Sequence, residues 1–259
     1  MLNIVIPMSG RGSRFLQEGY QVPKPLIKVR GVEMIRVVIR NLTPVRPHRF
    51  IFLCLREHLD SYELEKLLLD WAPGCVVVPV DRVTEGAACT VLLAEYLINN
   101  DQPLMIANCD QWVDINIDSY LKMLEDSSAE GLIMTMKASD PKWSFVRIAE
   151  DGGVTEVVEK VVVSDEATVG IYNFQRGRDY VSAAHSMINS NLRVNGEFYV
   201  APVYNELLKA GGKVLIYNVG TVGQGMHGLG TPADLEGFVQ TAVSIKASSQ
   251  MPARVDPLA

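Results

Sequence analysis

Asn3-Ile4-Val5-Ile6-Pro7-Met8-Ser9-Gly10-Arg11-Gly12-Ser13-Arg14 is the stretch that decides the fold. Residues 3–7 are apolar at nearly every position, the pattern of a parallel strand covered by helices on both faces. The chain then runs directly into two glycines and two arginines. Glycines leave backbone N–H groups open to an anion, and arginines add charge-assisted hydrogen bonds to phosphate oxygens. The first thirty residues carry Arg11, Arg14, Lys24, Lys28 and Arg30 against a single acid, Glu18. A glycine turn with solvated arginines has the same composition, so the motifs downstream have to decide between the two.

Outward from this stretch, β-rich runs at 50–55, 75–78 and 104–108 alternate with helix-like stretches at 34–42, 57–69 and 87–99. This is the βαβ rhythm of a parallel sheet, whose ligands bind beyond the carboxyl ends of the strands. After Asn108 the rhythm loosens. Strands are expected at 131–136, 144–148, 154–159 and 168–174, with Asp151-Gly152-Gly153 as a hairpin turn between two of them. Helices at 178–188 and 199–208, a strand at 214–217 and a helix from Pro232 complete the chain. Thr231 before Pro232 matches an N-cap followed by an N1 proline. One domain over 1–247 is expected, with a nucleotide-binding half at 1–115, an acceptor-binding half at 116–247 and a frayed tail at 248–259.

The 259 residues are 48% hydrophobic and 21% charged, which fits a globular protein and excludes collagen-like, disordered and disulfide-scaffold classes. A net charge of −6 removes the basic field that nonspecific nucleic-acid binding needs. Apolar runs such as 51–55 are far shorter than the roughly 20 residues of a membrane span. Cys54, Cys75, Cys89 and Cys109 lack CxxC spacing and lie in apolar segments, as packed thiols of a cytoplasmic protein do. The 34–42 helix and the last helix each offer an apolar face, to a second subunit of a homo-oligomer or to the core.

Two familiar phosphate loops are excluded. The dinucleotide fingerprint needs a third glycine or alanine where Phe15 stands, and the Walker A ending is absent. Thr84-Glu85-Gly86-Ala87-Ala88 opens an apolar helix and is either an ordinary helix start or a small-residue turn against which a base or ribose can lie. Asn108-Cys109-Asp110 closes a strand and places Asp110 at the ligand-collecting edge. A carboxylate there suits Mg²⁺, which binds nucleotides through one or two carboxylates plus phosphate oxygens.

Gly10-x-Gly12-Ser13-Arg14 with Pro23-Lys24-Pro25-Leu26 resembles the opening motif of the nucleotidyltransferases that join a nucleoside triphosphate to a phosphorylated acceptor, mostly sugar 1-phosphates, and release pyrophosphate. The resemblance extends from Asn3 to about Phe238. It implies a three-layer α/β/α fold with a mostly parallel, mixed central sheet and a Rossmann-like N-terminal half, the GT-A-like nucleotidyltransferase fold. It further implies that Met8, Ser9, Gly10, Arg11, Gly12 and Ser13 form the nucleotide loop. By the same resemblance Arg14 holds the departing phosphates, Lys24 bridges the α-phosphate and the acceptor phosphate, and Glu85, Gly86, Ala87 and Asn108 meet the nucleotide. Asp110 is the implied Mg²⁺ ligand at the border of the acceptor.

On the acceptor side, Val158-Glu159-Lys160 resembles the family's Glu-Lys pair, Gly170 the glycine on the flanking strand, and Glu197 a ligand for hydroxyl or amine groups. Trp143 and Tyr172 are candidates for an apolar wall. One departure stands out: the second metal-binding Asp of related enzymes falls on Gly228, which leaves Glu197 or His227 as substitutes or a single carboxylate. Asp114, beyond Trp112 and Val113, is a weaker ligand candidate. Also, Pro7-Met8-Ser9-Gly10 replaces the usual Leu-Ala-Gly-Gly. The chain has no Ser-His-Asp order, no Gly-x-Ser-x-Gly elbow and no Asp-x-Asp pair of glycosyltransferases. The expected activity is nucleotidyl transfer to a sugar 1-phosphate. Two alternatives are transfer to a small non-sugar phosphate such as phosphocholine or a phosphorylated amide, and a catalytically silent nucleotide-sugar sensor.

Overall fold

A computed structural model describes residues 1–249 of the chain. The expected frayed tail lies outside the described residues except for Ser248 and Ser249, and Ser248 closes the last helix. The apolar opening forms β1 (Leu2–Met8), followed by the short helix α1 (Ser13–Gln17) and a 3-10 turn at Lys24–Leu26. A two-stranded ribbon, β2 (Lys28–Val29) and β3 (Val32–Glu33), leads into α2 (Met34–Leu42). The parallel rhythm continues through β4 (His48–Leu55), α3 (Arg56–Tyr62), α4 (Leu64–Trp71), β5 (Val76–Val80), α5 (Ala87–Leu92), α6 (Glu95–Ile98) and β6 (Leu104–Ala107). Next come β7 (Gln111–Val113), α7 (Ile117–Glu125), β8 (Gly131–Lys137), β9 (Ser144–Ile148), β10 (Val154–Glu159) and β11 (Glu166–Phe174). The remaining elements are α8 (Gly177–Asn189), α9 (Val203–Lys209), β12 (Val214–Val222), β13 (Gly225–Gly228), α10 (Pro232–Val239) and α11 (Ala242–Ser248).

The main sheet has the order β5-β4-β1-β6-β11-β8-β12-β13-β7, with the β9–β10 pair attached at β11. Strands β5, β4, β1 and β6 are mutually parallel, whereas β11 runs antiparallel to both β6 and β8. The sheet is therefore mixed and mostly parallel. Alternation along β1 and β4 sends Ile4, Ile6, Phe50 and Phe52 toward α2, α4 and α7. Val5, Ile51 and Leu53 point the other way, against α5, α8 and α9. Three layers follow, and each fully buried aliphatic side chain contributes about 1.5–3 kcal/mol. The apolar face of α2, including Ile35, Val38 and Leu42, is spent on this core.

The observed α2, β9 and β10 coincide with the expected segments. Two long helices do not. The 57–69 helix breaks at Glu63, which takes the left-handed conformation at φ 48°. The 87–99 helix divides between α5 and α6, because Leu93 and Ala94 close a 3-10-type turn onto Thr90 and Val91. The 199–208 helix begins only at Val203, after Pro202. Thr231 caps α10 as expected, its Oγ1 accepting the Asp234 N–H at 3.1 Å.

Candidate active site

Beyond the carboxyl ends of β1 and β6 lies a cavity of about 510 Å³. Ten of the residues expected from sequence line it: Arg14, Ala87, Asn108, Asp110, Trp143, Glu159, Lys160, Gly170, Tyr172 and Glu197. Lys142, Ser144, Thr168 and Tyr199 add polar groups to the wall, and Val169, Val200 and Ala201 complete it. A larger groove of about 900 Å³ runs along β10 beside α8 and α9, but Glu159 is the only expected residue that borders it.

Lys24 reaches the site through Asp110. Its Nζ donates to Asp110 Oδ2 at 2.8 Å, and each side chain keeps 22% exposure. Burial alone would lower the pKa of the Lys24 ammonium, but the adjoining carboxylate outweighs it and the net shift is upward. Gly12 makes room for this arrangement: it caps α1 at φ 64°, and a Cβ there would stand 3.1 Å from Lys24 Cβ. Gly10 faces open space. Arg11 is exposed on the same loop, and Ser13 and Arg14 are exposed on the first turn of α1. The Met8 side chain is buried in the core, so only its main chain is available to a ligand.

Ser9 is buried and its Oγ lies 3.4 Å from Thr90 Oγ1, which also meets Thr84 Oγ1 at 2.6 Å. This hydroxyl chain ties the glycine loop to the start of α5. There, Gly86 at φ 133° abuts the main chain of Phe198, and a Cβ would lie 2.4 Å from Phe198 O. Phe198 N donates to Glu85 O, and Ala88 N donates to Phe198 O. The Glu85 carboxylate faces Arg193, at 2.5 Å, rather than the cavity.

At the floor, Asn108 N donates to Gly170 O at 3.0 Å, and Gly170 takes φ 80° where the β11–β8 register shifts. On the wall, Glu159 is 6% exposed and receives a hydrogen bond from Ser144 Oγ. Burial pushes its pKa above the usual carboxylate value, against the opposing effects of Ser144 and Lys160. Lys160, at φ 58°, donates to Tyr199 OH at 2.5 Å, and that bond is the main cause of its raised pKa. Tyr172 OH lies 2.9 Å from Thr168 Oγ1. Glu197 is exposed beside them.

Asp110 is the carboxylate best placed for a cation, since its second oxygen, Oδ1, has no hydrogen-bond partner among the described residues. No group of three His, Cys, Asp or Glu side chains that could hold a metal occurs among the described residues. The donor set therefore fits an ion bound by one carboxylate and otherwise by phosphate oxygens and water, as Mg²⁺ is with nucleotides. Gly228 lies opposite Gln111 and offers no ligand. His227 is 5% exposed between Trp112 and Phe238, and burial lowers its pKa, the behaviour of a packed ring. Asp114 pairs with Lys246. Sequence reasoning missed Lys142, Ser144, Thr168 and Tyr199; their one signal was nearness to expected residues, Lys142 and Ser144 flanking Trp143, Thr168 two before Gly170 and Tyr199 two after Glu197.

The nucleotidyl transferase family profile matches residues 4–192. The chain belongs to this family. The chain is 26% identical over 183 residues to the mannose-1-phosphate guanylyltransferase catalytic subunit beta of Dictyostelium discoideum, covering 67% of this chain and 49% of that one. It is also 26% identical over 227 residues to the bifunctional protein GlmU of Lactobacillus gasseri, covering 83% of this chain and 46% of that one. The chain thus spans about half the length of these curated relatives. Its fold matches that of a nucleoside-diphosphate-sugar pyrophosphorylase from Vibrio cholerae, with a TM-score of 0.77 at 22% identity over 92% of this chain and 100% of that one. It likewise matches the inositol-1-phosphate CTP transferase from T. maritima, with a TM-score of 0.73 at 18% identity over 96% and 98%. No helix among the described residues is long and apolar enough to cross a membrane.

Proposed function

We propose that this nucleotidyl transferase joins a nucleoside triphosphate to a sugar 1-phosphate, giving a nucleoside diphosphate sugar and pyrophosphate. The observation that carries this is one cavity lined by Arg14, Asp110 and Lys160, with Lys24 held on Asp110. A phosphate oxygen of the acceptor attacks the α-phosphorus in line; the new P–O bond forms as the bond to the β-phosphate bridging oxygen breaks. No protein nucleophile is needed, because the acceptor monoester is already anionic and positioning with charge neutralisation suffices.

Arg14 neutralises the departing pyrophosphate, and Lys24 spans the α-phosphate and the acceptor phosphate. Lys160, oriented by Tyr199, meets the acceptor phosphate, while Glu159 and Glu197 accept from acceptor hydroxyls. Ser9, Gly10, Arg11, Gly12, Ser13 and the main chain of Met8 form the nucleotide loop, with Gly86, Ala87 and Asn108 on the base and ribose side. Glu85 joins them through its main chain. Asp110 would hold Mg²⁺, whose contribution is to offset phosphate charge.

A second acceptor class, a small phosphorylated amine such as phosphocholine, is favoured by one observation: Trp143, Tyr199 and the buried Glu159 share a wall, and the two ring faces already hold cations, Lys142 at 5.0 Å and Lys160 at 4.6 Å, whose place an organic cation would take. A cytoplasmic location and a role in supplying surface-polysaccharide precursors go with the sugar reading, and the four free cysteines suit a reducing compartment.

The test is pyrophosphate release with CTP, UTP, GTP, ATP and dTTP crossed against sugar 1-phosphates and small phosphorylated amines and amides, with Mg²⁺. Release with one sugar 1-phosphate is the expected result. Release only with an amine selects the second class. Triphosphate binding without any release would replace both with a silent sensor.

A further inference from the structure

At the opposite end of the sheet, α2, the start of β4 and the end of α4 enclose a second cavity of about 310 Å³. Met8 pairs with Cys54 and Leu2 with His48. His48 and Arg49 therefore sit at the amino end of β4, about 20 Å from the catalytic edge at the usual rise of a strand. Three half-buried arginines, Arg36, Arg40 and Arg49, line this cavity together with the ring of Trp71.

None of the three spends its charge on a carboxylate among the described residues. The Arg36 guanidinium lies 5.8 Å from the Trp71 ring centre. Arg40 donates to the main-chain oxygen of Ser249 at 3.0 Å. Arg49 grips Asn3 Oδ1 through Nε and Nη2, at 3.2 and 2.8 Å. Asp70 is the one acid on the lining, and it is exposed. Burial and then the Arg36 charge hold Arg40 below its usual pKa. Three half-buried arginines outnumber the acids beside them, exposed Asp70 on the lining and Glu33, whose charge only partly offsets the lowered Arg40 pKa, and such an excess is costly unless an anion completes it. In a protein of net charge −6 this local excess is not a general surface property.

We propose that Arg36, Arg40 and Arg49 form a binding site for an oligophosphate anion, separate from the catalytic cavity. Guanidinium forks match phosphate oxygens two at a time, the volume admits a small ligand, and Trp71 offers a flat apolar face. Free inorganic oligophosphate and the phosphate tail of a nucleotide share this chemistry.

The 259-residue chain has three tryptophans, Trp71, Trp112 and Trp143, so indole NMR resonances, assigned by single Trp→Phe variants, separate the two cavities. Titration with tripolyphosphate should shift the Trp71 signal. In Arg36→Gln/Arg40→Gln that shift should need about tenfold more ligand, while the Arg14→Ala protein should keep it. Independence from Arg14 separates this site from the catalytic reading. ATP acting at lower concentration than tripolyphosphate would name a nucleotide as the source, and the reverse would name the free anion. A Trp71 signal that stays still at millimolar tripolyphosphate would overturn the site. So would equal shifts with sulfate at matched ionic strength, or an unchanged response in a well-dispersed Arg36→Gln/Arg40→Gln protein.

Discussion

The α-carbon of Gly170 faces the side-chain amide of Asn108 so closely that a Cβ on it would stand 2.1 Å from Asn108 Nδ2. Gly170 also needs φ 80°. Gly170→Ala should therefore cost about 1–3 kcal/mol, read by thermal or urea unfolding. Adding Asn108→Ala should return part of that stability but not activity. Full stability in the single variant would contradict the geometry.

Gly10 and Gly86 make a sharper pair. Gly86 meets main chain, which has no rotamer with which to yield, so Gly86→Ala should destabilise by about 3 kcal/mol. Gly10→Ala meets nothing within 4 Å and should leave unfolding within about 0.5 kcal/mol of wild type. Its expected defect is a raised KM for the triphosphate, measured by steady-state pyrophosphate release; an unaltered KM would remove Gly10 from the nucleotide loop.

Lys24 and Asp110 should separate by their metal response. Lys24→Gln is expected to lower turnover at least about tenfold. It should also let the free protein bind Mn²⁺ more tightly, since Oδ2 is released from its ammonium partner; titration followed by Mn²⁺ EPR reads this without turnover. Asp110→Asn should raise the Mg²⁺ concentration needed for half-maximal rate.

Much of this arrangement is legible from sequence because it is local. Leu2–Met8, Met34–Leu42 and the Asp151–Gly153 turn announce themselves through periodicity and glycine. The left-handed turns at Glu63 and Lys160 do not, because neither residue type favours positive φ. The Lys24–Asp110 pair joins residues 86 apart, and Tyr199 gains meaning only once Lys160 is beside it.

Acidity offers a further check at Glu159. Its folded pKa is raised above the usual 4.5, with burial the leading cause. The neutral acid is thus the better-tolerated form, and its contribution is complete below 4.5 and fades as pH rises through the folded value. Wild type should lose stability relative to Glu159→Gln on going from pH 4 to pH 8 in paired melting curves. Parallel curves would mean that Glu159 is not held in this way.

The β9–β10 hairpin touches the main sheet through a single registered pair, Ala167 with Phe145. Ser144, Glu159 and Lys160 stand on it or at its end, while the glycine loop, Lys24 and Asp110 belong to β1, β6 and the turns beside them. On the proposed reading, part of the acceptor wall stands on this hairpin, whose Phe145, Val146 and Val157 are packed into the main core, while the triphosphate is met from other elements. A foreign hairpin grafted between Ala138 and Ser164 has to keep those three core positions and the Val157–Asn205 hydrogen bonds while changing the residues that face the cavity, which is how one scaffold diversifies its products.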